Sequence, residues 1–239
     1  IGTLLKRVKA VSVAEGVSVI NKEIVFDQEL DFDKDPAVGI RAAATAAQLG
    51  LPISRDSLER YSAQLRSGKG SLPEPWPREA RELLISLIGA GESMVDIFEA
   101  LDQEDAIFSW IPEWHTVRSL PQRNVLHRHT VDRHMVETAV KAAALTRTVH
   151  RPDILLFSAL FHDIGKGTQE DHSERGANLI LPIAKRIGFS EADVKTLQFL
   201  VRYHLLLSST ATRRDLDDPA TIQAILDVVP DMQHLELLH

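Results

Sequence analysis

Residues 154–161, ILLFSALF, run for eight positions with no charge and a single hydroxyl. A helix over this stretch is apolar on nearly every side, so it fits only where other elements cover it all round. Pro152 suits its first turn and Gly165 its end, and between the apolar run and that stop lie His162 and Asp163, with Lys166 just beyond. An ionised carboxylate at the edge of a core costs roughly several kcal/mol unless a cation, a metal or strong hydrogen-bond donors face it. Two readings follow from the residues alone. Asp163 pairs with Lys166 while His162 is a satisfied core histidine, or the pair belongs to a metal site.

The remaining pattern is helical with one exception. Residues 11–26, VSVAEGVSVINKEIVF, alternate β-branched and polar side chains around Asn21-Lys22, which predicts one short hairpin. Pro36 to Gly50, Ser54 to about Gly68, Pro77 to Gly89 and Glu92 to Leu101 read as helices with recognisable starts and stops. After the proline-bearing break WIPEW at 110–114, Thr130 caps a helix running to about Val149, and the Pro152 helix comes next. Asp171 to Glu174 has capping-box spacing ahead of a helix stopped at Gly188; Ser190 caps one through about Leu206, and Asp217 to Val229 is the last clear one. The expected architecture is all-α. Residues 1–110 form a hairpin-bearing helical connector, and residues 111–239 form a helical bundle that carries the chemistry.

Composition narrows the chemistry. With no cysteine there is neither a disulfide framework nor a thiolate site, so a metal must be held by His, Asp or Glu, and ten histidines are available. A net charge of -7 argues against a dedicated nucleic-acid binder. No apolar segment approaches the roughly 20 residues that span a bilayer. The expected location is therefore cytoplasmic, with no membrane partner, and the initial Ile1 points to a piece of something longer.

His134, His172 and His204 each lie at or near a predicted helix end, as His162 does. Bundle helices bring such ends together, and imidazole plus carboxylate ligands from facing helices build divalent metal sites. Four histidines and one aspartate exceed what one tetrahedral ion needs and suit two close ions, of the kind that clamp attacking and leaving oxygens in phosphoryl displacement. Taken singly, each histidine reads first as a core or surface residue, and only the set points to ligation. Arg118, Arg123, Arg128 and Arg133 against Asp132 leave a local excess of +3 between Trp114 and His134, and Arg213-Arg214 add a second basic pair. These guide an anionic substrate or form a solvated face. His127 and His129 read as supporting donors or plain loop residues.

LFHDIGKG (160–167) with HTVDRH (129–134) resembles the leading elements of the HD superfamily of metal-dependent phosphohydrolases. Together with DHSERGA (171–177) and VRYHLLLSSTATRRDLDDP (201–219), it is similar to the HD domain of the bifunctional uridylyltransferase/uridylyl-removing family, which modifies the PII nitrogen-signalling protein. The resemblance implies that His134, His162, Asp163, His172 and His204 are metal ligands for Mn or Mg, with room for two ions. It implies hydrolysis of the nucleotidyl-tyrosine phosphodiester on modified PII, with release of UMP, His162 and Asp163 at the catalytic centre and Lys166 stabilising or protonating a phosphate or leaving oxygen. It further implies a nucleotidyltransferase domain and ACT domains elsewhere in a longer chain, and a last aspartate ligand beyond His239. Asp227 and Asp231 come too early for that ligand, and Asp215, Asp217 and Asp218 read as caps or solvated charges. Two alternatives stay open: an HD phosphohydrolase acting on free nucleotides or cyclic dinucleotides, and a non-catalytic regulatory module.

Overall fold

The computed structural model describes residues 10–121 and 129–239. The chain divides into two compact units, one ending at Pro112 and one running from Glu113 to His239.

In the first unit, β1 (Val11–Ala14), β2 (Val17–Ile20) and β3 (Glu23–Phe26) form an antiparallel sheet in the order β1-β2-β3. The expected single hairpin is thus two consecutive ones. Asn21 and Lys22 both take positive φ, 53° and 66°, the mirror-image turn whose twist matches the flanking strands. The other turn, at Glu15-Gly16, interrupts a run that reads in sequence as one alternating strand; Gly16 adopts φ 69°, which a β-branched residue would resist. Five helices follow: α1 (Val38–Leu49), α2 (Arg55–Arg66), α3 (Arg78–Ile88), α4 (Ser93–Gln103) and α5 (Ala106–Trp110). Small residues let α1 approach closely: Gly39 lies so near Tyr61 that a Cβ there would come 2.1 Å from the ring. Arg41 on α1 is buried but answered by Asp35 at 2.5 Å and Glu79 at 2.6 Å.

The second unit holds α6 (Val131–Ala143), α7 (Pro152–Phe161), α8 (His172–Ile187), α9 (Glu191–Tyr203), α10 (Leu206–Arg213), α11 (Pro219–Leu226) and α12 (Met232–Leu238). The apolar helix α7 is covered as its sequence demands: Ile154, Phe157, Leu160 and Phe161 are fully buried, with α6 and α9 packed against it. Each such side chain contributes about 1.5–3 kcal/mol. Helix α8 lies along α9. Its start is fixed by Asp171, whose carboxylate accepts from the Ser173 and Glu174 amides, and its end by left-handed Gly188. Ser190 caps α9 by accepting from the Asp193 amide.

Two helices end earlier than their sequence predicts. Helix α6 stops at Ala143 rather than near Val149, because the Thr146 and Thr148 hydroxyls donate to the carbonyls of Ala143 and Leu145 and favour turns over helix continuation. Helix α9 stops at Tyr203, and the chain turns into the separate α10. Asp218 caps α11, Asp227 accepts from Gln223 and Asp231 caps α12.

Candidate metal centre

Four helix ends of the second unit meet at Asp163. His134 sits in the first turn of α6, His162 caps the C-terminus of α7, His172 opens α8 and His204 caps the C-terminus of α9. The Asp163 side chain, 3% exposed, lies among them. Its two oxygens divide the work of the site. Oδ2 is 3.3 Å from His162 Nε2, 3.6 Å from His134 Nε2 and 2.7 Å from Lys166 Nζ. Oδ1 is 3.6 Å from His204 Nε2 and 3.8 Å from His172 Nε2. The His134 and His162 Nε2 atoms stand 3.2 Å apart. The rings form a row, with centroids 5.1 Å apart for His134–His162, 5.3 Å for His162–His204 and 5.4 Å for His172–His204.

Backbone carbonyls fix which ring nitrogen faces inward. His162 Nδ1 donates to Ala159 O and His204 Nδ1 to Val201 O, each at 2.8 Å, so both turn Nε2 toward Asp163, and in a neutral His204 ring that nitrogen carries the lone pair. Burial and the neighbouring imidazoles push His204 down to about 4, which keeps that lone pair free at neutral pH. Burial alone would raise the Asp163 carboxyl, but the His162 and Lys166 contacts outweigh it and hold the group well below the usual carboxylate range.

The donor set suits a divalent cation. Two groups, His134-His162-Asp163 and Asp163-His172-His204, each bring their ligand atoms within 4.8 Å of one another, and Asp163 belongs to both. A carboxylate shared by two imidazole pairs offers nitrogen and oxygen donors of the kind that hold divalent cations. The Asp163–Lys166 pairing expected from the sequence is present as well, with the ammonium at the edge of the cluster.

All six residues singled out in the sequence for this site come together. His129 does not join them; it is exposed, and His127, Arg123 and Arg128 fall outside the described residues. Arg133 is paired with Glu137, and Arg213 and Arg214 are exposed. Two features escaped the sequence reading. One is the pair of orienting carbonyls, for which a histidine directly after the last apolar turn of a helix is the available signal. The other is Arg175, which reaches from α8 to the turn after Asp163 and has no signature in sequence.

Residues 131–230 match the family model described as HD domain, and this stretch belongs to that family. An HD domain that places four histidines around one buried aspartate supports a metal-dependent phosphohydrolase role. Along its length the chain is similar to enzymes named bifunctional uridylyltransferase/uridylyl-removing enzyme. It is 52% identical over 95% of its residues to the one from Streptomyces coelicolor, 47% over its whole length to that of Mycobacterium tuberculosis H37Rv, and 33% over 85% to that of Corynebacterium glutamicum. It spans 27% of the Streptomyces enzyme and 29% of each of the other two.

Proposed function

We propose that this chain carries the uridylyl-removing centre of a longer bifunctional nitrogen-sensing enzyme, hydrolysing the phosphodiester between a nucleotide and a tyrosine of modified PII protein and releasing UMP. The observation that carries this reading is the division of Asp163, one oxygen toward His134 and His162, the other toward His172 and His204. The names of the relatives supply the nucleotidyl group. The residues that would hold Mn or Mg, one ion or two, are His134, His162, Asp163, His172 and His204. Such ions supply positive charge against the oxygens of a phosphodiester in substitution.

The chain's own groups account for the rest. Asp163 stays ionised throughout the working range and so acts as a ligand and not as a proton donor. The carbonyls bound at Nδ1 aim Nε2 of both His162 and His204 at the centre. Lys166 is the proton source: its ammonium stands beside the cluster, and a proton passes from Nζ to the oxygen of the leaving phenolate.

The test is metal-stimulated release of UMP from uridylylated PII by the full-length protein, with His162→Ala and Asp163→Ala as controls. Release that depends on both residues is expected. Faster turnover of free nucleotides or cyclic dinucleotides than of modified PII would replace this substrate with a small-molecule one.

A further inference from the structure

The Asp163 and Lys166 side chains come from a short turn after α7, yet they must keep their places relative to His172 and His204 on two other helices. Turns are held less firmly than helices. Here the turn is pressed against the first turn of α8: a Cβ built on Gly165 would lie 2.0 Å from the His172 carbonyl oxygen and 2.4 Å from the Gly176 nitrogen. One side chain ties the two segments together. Arg175, three residues after His172 on α8, donates from Nη1 to Gly165 O at 2.9 Å and to Lys166 O at 3.0 Å. Its side chain is 21% exposed, and its Nε stands 4.0 Å from Glu170 Oε2. The Arg175 amide is itself anchored to Asp171 O at 3.0 Å, inside the capped start of α8.

We propose that Arg175 is a positioning residue: by locking the Gly165-Lys166 turn onto α8, it fixes Lys166 and Asp163 relative to His172. The inference rests on the reading above for its activity test, but not for its binding test. The Lys166 ammonium reaches Asp163 along a flexible four-carbon stem, so its place depends on where its own backbone carbonyl is held. Both bonds leave the one nitrogen Nη1, whose two N–H directions the planar guanidinium fixes, whereas a lysine ammonium carries rotatable donors on a flexible stem.

The experiment compares wild type, Arg175→Ala, Arg175→Lys, Lys166→Ala and the Arg175→Ala/Lys166→Ala double variant in the full-length protein. It measures Mn2+ affinity by calorimetry, helicity by circular dichroism, and kcat and KM for UMP release from uridylylated PII. Loss of a partner that orients ligand residues typically costs about 10–100-fold in affinity or activity. The expected result is a kcat reduced by that factor in Arg175→Ala with KM nearly unchanged, partial recovery in Arg175→Lys, and a smaller loss of kcat when Arg175→Ala is added to Lys166→Ala than when it is added to wild type. Losses that multiply in the double variant, or wild-type kcat in Arg175→Ala, overturn the inference. If Arg175→Ala loses its helicity, Arg175→Lys alone and combined with Lys166→Ala decides by the same rule. If the wild type binds Mn2+ but releases no UMP, the substrate reading fails and Mn2+ affinity decides alone: about tenfold weaker binding in Arg175→Ala supports the inference, and unchanged binding overturns it.

Discussion

Asp163 belongs to both candidate ligand groups, so the five candidate ligands are not equivalent. Replacing His134 removes a ligand from the group that uses Oδ2 and leaves Asp163, His172 and His204 intact; replacing His172 does the converse. Asp163→Asn removes the charge from both. The expected outcome in Mn2+ titrations is reduced stoichiometry or one weakened phase for His134→Ala and for His172→Ala, and loss of all tight binding for Asp163→Asn. Equal effects of all three substitutions would show that the two groups do not act as separate sites. The candidate ligands were legible in sequence because His162 and Asp163 end the one all-apolar helix, because His134, His172 and His204 fall at or near other helix ends that a bundle brings together, and because the motifs that carry them resemble the HD superfamily. The division of labour between Oδ1 and Oδ2 was not, since it depends on the angle at which four helix ends meet.

At the scale of elements, α8 and α9 carry His172 and His204 and pass each other at Gly176, where an added Cβ would sit 2.9 Å from Val201 Cγ1. Gly176→Val forces the helices apart; overpacking of this kind costs about 1–3 kcal/mol. The expected outcome is a lower thermal midpoint together with weaker Mn2+ binding, whereas a midpoint change without any change in binding would show that the two helices shift as one. Helix α12 packs on α9 and is tied by Glu236 to His150, with His150 Nδ1 2.9 Å from the carboxylate. The hydrogen bond from His150 lowers Glu236 from 4.5, and the bond to Glu236 raises His150 from 6.5. The contribution of raised His150 is present below 6.5 and fades as pH rises through its raised value. That of lowered Glu236 is present above 4.5 and fades as pH falls through its lowered value. Amide protection over 232–238 should therefore differ most between wild type and His150→Gln from pH 4.5 to 6.5, and the difference should vanish in mildly alkaline solution; a difference independent of pH would count against the pair. Caps such as Ser54, Asp171 and Ser190 were readable because a cap is local, three residues deep. Helix ends at Ala143 and Tyr203 were not, because threonine hydroxyls and a histidine ring compete for carbonyls there without any glycine or proline to mark the stop.

For the molecule as a whole, the question is how much chain the centre needs. Every ligand candidate, Lys166 and Arg175 lie in the unit from Glu113 to His239, a length within the ordinary range for an independent domain. The family match begins later, at residue 131, and that difference has physical content. Trp114 is fully buried, with its ring 6.4 Å from that of Phe161 in an edge-on contact, one residue before His162. Glu113 takes both Arg186 guanidinium nitrogens, at 3.0 and 2.5 Å, in a pair that is mostly shielded from solvent. A piece cut at 131 keeps all five ligand candidates but empties the Trp114 site, a loss of about 3–5 kcal/mol by analogy with large-to-small substitutions in cores, and leaves the Arg186 charge without its carboxylate. That sum is a large fraction of the stability of a domain this size, about 5–15 kcal/mol. The expected outcome is that residues 113–239 alone bind Mn2+ with the affinity of the full chain, while residues 131–239 unfold at markedly lower temperature and bind weakly. If the shorter piece matched the longer in both thermal midpoint and Mn2+ affinity, the segment that carries Glu113 and Trp114 would be a neighbour of the HD fold and not part of its core.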